Sequence, residues 1–205
     1  MAAERLDRSF FARPALAVAR DLLGRDLVVQ RQQWACRVRV FEAEAYAEED
    51  RACHAFGGRR TPRTEPMFAA GGLMYVYFTY GMHHCFNVVT GPAGVGEAVL
   101  VRSAVPLAGL DAIAAARNLA SLKRMPPASQ WLDGPGRLAQ GLGLTRADSG
   151  LPLDGSAGVW FEVGQPPQPS EIQMLPRVGV AYAGADADLP WRFACDPMRA
   201  QAGSP

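Results

Sequence analysis

Two closely spaced glutamates follow an apolar strand pattern in the segment CRVRVFEAEAY. Glu42 and Glu44 lie two residues apart, so their side chains share one face of a predicted β-strand. The positions of that parity are Val38, Val40, Glu42, Glu44 and Tyr46. If the face is buried toward its end, at least one carboxylate lies outside bulk water, an environment in which carboxylates can act as acids or bases. The alternative is a pair of exposed residues at a fraying strand end.

A single arginine interrupts a second apolar strand pattern. Arg102 lies within the run AVLVRSAV. A guanidinium in such a run must be paired with an acidic group or must face a polar site. A functional site and a structural ion pair at a sheet edge both satisfy this requirement.

Aromatic residues are concentrated in residues 75–89, which read YVYFTYGMHHCFNVV. The alternation on either side of Gly81 and Met82 predicts a β-hairpin with a tight turn. Tyr80 lies beside the turn, where a large ring finds little core to pack against and is suited to wedge into a stacked duplex. Tyr77 lies further down the strand and could form the floor of a pocket for a flat base.

The histidine pair His83–His84 raises the question of a metal site. Adjacent residues on a strand point to opposite faces, so the two imidazoles cannot converge on one ion without a bulge. A third ligand at suitable spacing is not evident either. We therefore predict no metal at this pair.

Residues 47–72 form a long segment rich in glycine, proline and arginine, and segments of this length are usually functional or disordered. The segment contains His54 and the stretch GGRRTPR, with Arg59, Arg60 and Arg63. These arginines could present their side chains to phosphates. The alternative is a solvated loop.

The remaining pattern predicts helices and strands that do not alternate regularly. Helices are predicted at 9–24, with Pro14 in the first turn, at 107–120 and around 137–143. Strands are predicted at 26–31, 36–46, 73–80, 83–89, 97–107, 158–163, 177–183 and 191–195. This order favours an α+β fold, in which a mainly antiparallel, curved sheet is flanked by helices.

Composition and charge indicate a soluble globular protein. The 205 residues suit a single compact domain spanning 1–205, with a loose tail at about 196–205. The net charge of +1 argues against a strongly basic protein that coats nucleic acid. The chain contains no run of about 18 apolar residues and begins without a secretory h-region, and its four cysteines are scattered. We expect a cytoplasmic protein with reduced thiols, bound to neither membrane nor metal.

Several of these segments, taken together, resemble one known family. EAEAY, HAFGGRRTPR, MF, YVYFTYGMHHCFNVV and VLVRSAVPLAGL, between Val38 and Leu110, are similar to the motifs of the alkyladenine (3-methyladenine) DNA glycosylases, in the same order. GPGRLAQGLGL and RVGVAYAG extend the resemblance toward the C-terminus. Several multi-residue motifs in order are far more specific than any single pattern.

The resemblance implies a role for each candidate residue. Glu44 would be the general base that activates the attacking water, and Arg102 would help to hold that water. Tyr46, His54 and Tyr77 would line the pocket for the flipped base, and Asn87 would exclude unsuitable bases sterically. The implied DNA-binding residues are Tyr80 as intercalating wedge, Gly81, Met82, Arg59, Arg63 and Arg137.

The function implied is excision of alkylated or deaminated purines, such as 3-methyladenine, 7-methylguanine, hypoxanthine and ethenoadenine, from duplex DNA. We expect a monomeric, bacterial-type enzyme, associated with the nucleoid through DNA, that uses no cofactor. The single lysine, Lys123, lies outside the motifs, which predicts hydrolysis to an abasic site without a lyase step. Two alternatives are a non-catalytic nucleic-acid binder on the same fold and a histidine-dependent metal hydrolase.

Overall fold

A computed structural model of the chain describes residues 3–197. The strands are β1 Asp26–Gln30, β2 Ala35–Tyr46, β3 Met74–Thr79, β4 His83–Val89, β5 Ala98–Ala108, β6 Leu132–Asp133, β7 Val159–Glu162, β8 Gln173–Leu175 and β9 Arg192–Ala194. The helices are α1 Arg8–Phe11, α2 Ala15–Asp21, α3 Leu110–Ala116 and α4 Pro135–Gly141. The predicted tail at 196–205 lies outside the described residues beyond Pro197.

The strands form one antiparallel sheet in the order β3-β4-β5-β2-β1-β7. The long strand β2 has two different neighbours along one edge, because β1 pairs with its first half and β9 pairs with Glu42–Glu44. β8 extends the β9 arm, and β6 pairs with β5. This division at β2 curls the sheet, and the predicted α+β fold with a curved antiparallel sheet is confirmed.

The apolar core lies between one face of this sheet and the helices. Val18, Ala19 and Leu22 of the α2 region and Leu138 and Ala139 of α4 are completely buried in it. They pack with inward side chains of the central strands: Val38, Val40, Ala43, Ala45, Val99, Val101 and Ala104. The opposite face of the central strands carries Glu44, Tyr46 and Asn87 together with the apolar residues Leu100 and Ala98.

Two β-bulges lie beside each other in the centre of the sheet. Val40 pairs with Ala104 and Glu42 with Ser103, so Phe41 is an extra residue on β2. Glu42 pairs with Ser103 and Ala43 with Val101, so Arg102 is an extra residue on β5. A bulge changes the face to which the following side chains point. Our prediction that the two glutamates share a face with Val38 and Val40 is therefore wrong.

Three predicted elements differ from those observed. The helix predicted at 9–24 is two helices, because Pro14 adopts an extended conformation and precedes α2 as its N-cap. The helix predicted at 107–120 is confined to α3, which starts after Gly109 with φ of 74°. The strand predicted at 177–183 is wrong: Gly179 has φ of 78°, which ends the extended backbone, and a 3₁₀ helix occupies Ala181–Asp188.

The other predicted strands and the short helix near 137–143 correspond to observed elements, and the hairpin of β3 and β4 is confirmed. Its turn consists of Tyr80, Gly81 and Met82, between the paired residues Thr79 and His83. Both Tyr80 and Gly81 have positive φ, of 51° and 67°. Among the described residues, no helix is long and apolar enough to cross a membrane.

Candidate active site

Glu44 is a completely buried carboxylate whose two oxygens have different partners. Oε1 accepts a hydrogen bond from the backbone N–H of Val178 at 2.8 Å and pairs with Nη1 of Arg102 at 3.2 Å. Oε2 accepts a hydrogen bond from the hydroxyl of Tyr46 at 2.7 Å. A carboxylate oxygen can accept about two hydrogen bonds, so Oε2 retains acceptor capacity for a further group.

The bulges direct a row of functional side chains to the face of the sheet that carries Glu44. Across four neighbouring strands, Tyr75 pairs with Asn87, Asn87 with Leu100, and Leu100 with Glu44. Residues paired directly across antiparallel strands project to the same face. This face therefore brings together residues that lie far apart in sequence.

Arg102 lies between the two glutamates, and its pairing with both of them explains why an arginine occurs in an apolar strand. Its Nε donates to Oε1 of Glu42 at 3.2 Å while Nη1 reaches Glu44. Burial works to lower the pKa of Arg102, but the two carboxylates raise it above its ordinary value. The guanidinium therefore stays charged and holds the two carboxylates in one network.

Glu42 belongs to the same network and also has three protein partners. Its Oε1 also accepts from Arg192 at 2.9 Å, and its Oε2 accepts from the hydroxyl of Ser103 at 2.7 Å. Burial opposes ionisation, yet the Ser103 hydrogen bond and the charges of Arg102 and Arg192 lower the pKa of Glu42. Each of the two carboxylates therefore has three protein donors, and Glu44 differs from Glu42 in that one of its donors is an aromatic residue, Tyr46.

Tyr46, His54 and Tyr77 meet in one aromatic cluster beside Glu44. The His54 ring lies edge-on to Tyr77 with centroids 4.7 Å apart, and Tyr46 and Tyr77 both pack on a small core of residues that includes Cys53 and Tyr75. Burial raises the pKa of the Tyr46 hydroxyl, and Glu44 adds to this shift. Tyr46 therefore remains a hydrogen-bond donor.

His54 is held in the neutral form. Burial, together with the charge of Arg63, lowers the pKa of His54 from 6.5 to about 4. Its Nδ1 lies 2.9 Å from the hydroxyl oxygen of Tyr75, and its Nε2 lies 3.4 Å from Nη2 of Arg63. An arginine can only donate, which makes Nε2 the acceptor and assigns the proton to Nδ1.

Asn87 is buried in the sheet beside this cluster. Its Nδ2 donates to the backbone carbonyls of Tyr75 at 3.0 Å and of Cys85 at 3.3 Å. These two bonds fix the orientation of the amide. A side chain held this way presents a rigid shape rather than a mobile one.

The hairpin tip projects away from the core. Tyr80 is 81% exposed and Met82 is 68% exposed, with the positive-φ residue Gly81 between them. Large apolar side chains at such exposure have no packing role in the monomer. The tip is a surface suited to contact with another molecule.

The predicted DNA-binding arginines lie at three places. Arg63 lies over the ring of Tyr77, with its guanidinium carbon 4.8 Å from the ring centroid, so it joins the aromatic cluster. Arg59 is exposed on the preceding loop. Arg137 is exposed on α4 and donates to the carbonyl of Asp133 at 3.4 Å. Arg60, by contrast, pairs with Glu65 at 2.8 Å.

His83 and His84 face different neighbours. His83 pairs with Thr79 and lies against Gly136, whereas the His84 ring packs on Phe78 with centroids 4.9 Å apart. Within residues 3–197, no group of three or more His, Cys, Asp or Glu side chains is placed to hold a metal ion. The four cysteines, Cys36, Cys53, Cys85 and Cys195, are free thiols.

Sequence reasoning missed the segment that completes the surroundings of Glu44. Val178 supplies a backbone N–H to Glu44, and its neighbour Arg177 is buried and pairs with Asp50. Arg192 of β9 is the other missed member of the network. The residue type of Val178 gives no indication that its backbone N–H is a donor. Arg177, however, is a charged residue in a largely apolar segment, as Arg102 is, and this pattern marks it as a candidate for a buried ion pair.

Comparison with known proteins identifies the family. Residues 9–198 match the family model for methylpurine-DNA glycosylase (MPG). A protein of Myxococcus xanthus, provisionally named 3-methyladenine DNA glycosylase, is 47% identical over 92% of this chain and 88% of its own length. Relatives with the same provisional name from Carboxydothermus hydrogenoformans and Methanocella arvoryzae are 42% and 43% identical, each over 92% of this chain. This chain belongs to the methylpurine-DNA glycosylase family, hydrolases of DNA base-excision repair.

Proposed function

We propose that this enzyme flips alkylated or deaminated purines out of duplex DNA and hydrolyses their N-glycosidic bond with a water activated by Glu44. The observation that carries the proposal is the burial of Glu44 beside the aromatic cluster, with one acceptor position on Oε2 unused. The substrate class is that of 3-methyladenine, the base in the names of the relatives, and extends to 7-methylguanine, hypoxanthine and ethenoadenine.

The aromatic cluster supports the recognition of a flat base. Tyr46, His54 and Tyr77 lie in one aromatic cluster, and a base stacked there would gain roughly 1–3 kcal/mol per aromatic contact. That is comparable to the cost of extruding a damaged base from the stack. Asn87, held rigidly by the sheet, narrows the pocket against bases of the wrong shape.

Bond cleavage would proceed through an oxocarbenium-like sugar attacked by water. Oε2 of Glu44 takes the proton from that water, while Arg102 on Oε1 keeps the carboxylate oriented. The carboxylate also stabilises the positive charge that develops on the sugar. A purine alkylated at N3 or N7 is already cationic and leaves without a general acid.

The reaction should end at the abasic site. A lyase step requires an amine that forms a Schiff base with the sugar. Lys123, the single lysine of the chain, is exposed on the connection that follows α3 and is not among the residues of the cluster. Hydrolysis alone then leaves the DNA backbone intact.

The exposed hairpin tip is the proposed wedge. Tyr80 fills the gap that the extruded nucleotide leaves, with Gly81 and Met82 beside it in the minor groove. Arg59, Arg63 and Arg137 contact the phosphates on either side. A few arginines suffice for an enzyme that must bind duplex DNA and also release it.

A single assay tests this function. The protein is incubated with duplexes that contain one hypoxanthine, ethenoadenine or 3-methyladenine, and abasic sites are then cleaved with hot alkali. We expect strand cleavage at the lesion only after alkali treatment. Binding of the duplex without any abasic product would instead identify a non-catalytic binder, and cleavage before alkali would reveal a lyase.

A further inference from the structure

The Val178 segment is anchored by the buried side chains of Arg177 and Val180 and by a hydrogen bond from Arg192 to the carbonyl of Pro176 at 2.8 Å. Pro176, Val178 and Gly179 are exposed, whereas Arg177 between them is 5% exposed. The position of the N–H that Val178 donates to Glu44 is therefore set by these neighbours and not by the packing of Val178 itself, and Arg177 is the anchor directly before Val178 that also contacts Tyr46.

Arg177 contacts Ala45, Asp186 and Tyr46. Its Nη1 donates to the carbonyl of Ala45, the residue between Glu44 and Tyr46, at 3.0 Å. Its Nη2 donates to the carbonyl of Asp186 at 2.9 Å. The guanidinium also lies over the Tyr46 ring, 4.9 Å from its centroid. The two residues that flank Ala45 are the carboxylate and the tyrosine joined by a hydrogen bond.

Asp50 is the ion-pair partner of Arg177. Both of its carboxylate oxygens accept from Arg177, and both side chains of the pair are fully buried. Oδ1 of Asp50 also accepts from the N–H of Ala52, two residues before His54. The pair therefore ties the loop that carries His54 to the segment that carries Val178.

A buried ion pair of this kind is seldom explained by stability, since apolar side chains of similar volume often stabilise a fold equally well. A planar guanidinium with several donors does, however, fix geometry in a way that a lysine cannot. A displacement of about 1 Å at a reacting group can cost on the order of a hundredfold in rate.

We infer that the Arg177–Asp50 pair is a positioning element for Glu44: it sets the Val178 N–H and the Tyr46 ring so that Oε1 is occupied and Oε2 is directed to water. The inferred role of Arg177 and Asp50 is exercised through Val178 and Tyr46, because both side chains of the pair are fully buried. Their effect on the reaction presupposes the proposed base excision, whereas their effect on the Val178 hydrogen bond does not.

The first measurement is kinetic. Arg177→Lys keeps the charge beside Asp50 but loses the planar contacts, and Asp50→Asn is a second variant that keeps the size of the acceptor. We expect the single-turnover rate of base release to fall about tenfold or more, while affinity for an ethenoadenine duplex stays within about twofold. Affinity that falls in parallel with the rate would mean that the pair merely shapes the pocket.

The matched control is Arg39→Lys. Arg39 pairs with Asp26 at 2.6 Å, is as buried as Arg177 and lies on the same strand as Glu44, but in the half of β2 that pairs with β1. We expect both lysine variants to lower the melting temperature and only Arg177→Lys to slow base release. Equal slowing in both variants would assign the effect to global stability and overturn the positioning role.

The second measurement needs no catalysis. In a ¹H–¹⁵N spectrum, the amide of Val178 reports its hydrogen bond to Glu44, and Glu44→Gln identifies the shift that this bond causes. We expect Arg177→Lys and Asp50→Asn to move the Val178 resonance and to speed its hydrogen exchange, with the amides of β1 unchanged. An unchanged Val178 amide in both variants would refute the inference, even if the wild-type enzyme released no base.

Discussion

Glu44 and Tyr46 are joined by a 2.7 Å hydrogen bond although they lie only two residues apart on β2. The alternation of a strand places both side chains on one face, and the length of the tyrosine lets its hydroxyl reach back to Oε2. The proposed general base and the proposed edge of the base pocket thus come from one short stretch of chain, EAEAY.

Removal of the Tyr46 hydroxyl should slow the reaction without emptying the pocket. In Tyr46→Phe the ring still stacks, but Oε2 of Glu44 loses its donor and the carboxylate is less well oriented. We expect the single-turnover rate to fall roughly tenfold, about 1.4 kcal/mol in activation free energy, with lesion affinity nearly unchanged. A larger loss of affinity than of rate would make Tyr46 a binding group only.

Replacement of the proposed base should abolish the chemistry. Glu44→Gln keeps the size of the side chain but cannot accept a proton, so we expect base release to drop by a factor on the order of 10²–10⁴. Binding of the lesion duplex should persist in a gel-shift assay. Glu49→Gln, on the exposed carboxylate of the adjoining loop, is the control and should act like wild type. Full turnover by Glu44→Gln would refute the mechanism.

Loss of Arg102 should impair both stability and rate. Arg102→Gln leaves Glu42 and Glu44 buried without their shared cation, for which we expect about 2–3 kcal/mol in unfolding free energy, measured by urea denaturation. Arg192→Gln is the comparison, because Arg192 pairs with Glu42 but not with Glu44. We expect base release to fall much further in Arg102→Gln, and equal loss in both variants would contradict a specific role at Glu44.

The hairpin tip should matter for capture of the lesion and little for folding. Tyr80→Ser removes the exposed ring, so we expect weaker binding to an ethenoadenine duplex and slower base release with an unchanged melting temperature. Leu122→Ser, at an exposed leucine on the connection after α3, serves as the control. Unchanged affinity of Tyr80→Ser for lesion DNA would argue against a wedge.

His54 should make stability depend on pH. Its pKa is about 4 in the folded protein and 6.5 as a free side chain, so the unfolded chain binds the extra proton between these values. Its contribution to the free energy of unfolding should therefore be undiminished above pH 6.5 and should decline as the pH falls toward 4. At pH 5 we expect a loss of about 1–2 kcal/mol. His54→Gln should remove this part of the pH dependence in urea titrations, and an identical pH profile in that variant would contradict it.

Local patterns were enough to predict most strands and the hairpin, whereas the roles of the candidate residues came from the resemblance to the family. Alternation and turn residues depend on neighbours within a few positions, and a charged residue in an apolar run is visible directly, as at Arg102. The wrong predictions arose at single residues whose type is compatible with more than one backbone conformation. Pro14 was compatible with a helix start or with a break, and the extended-looking 177–183 contains Gly179, whose positive φ ends the extended backbone.

The amino-acid sequence by itself determined that Glu42, Glu44 and Tyr46 share a face, that Tyr80 lies at a turn and that Arg102 needs an acidic partner or a polar site. Only the tertiary structure decided which face that is, because the bulges at Phe41 and Arg102 arise from the pairing of β2 with β5 and not from either strand alone. Only the tertiary structure brought the Val178 N–H and the Arg177–Asp50 pair to Glu44. These contacts join residues more than a hundred positions apart, a distance over which residue spacing carries no information.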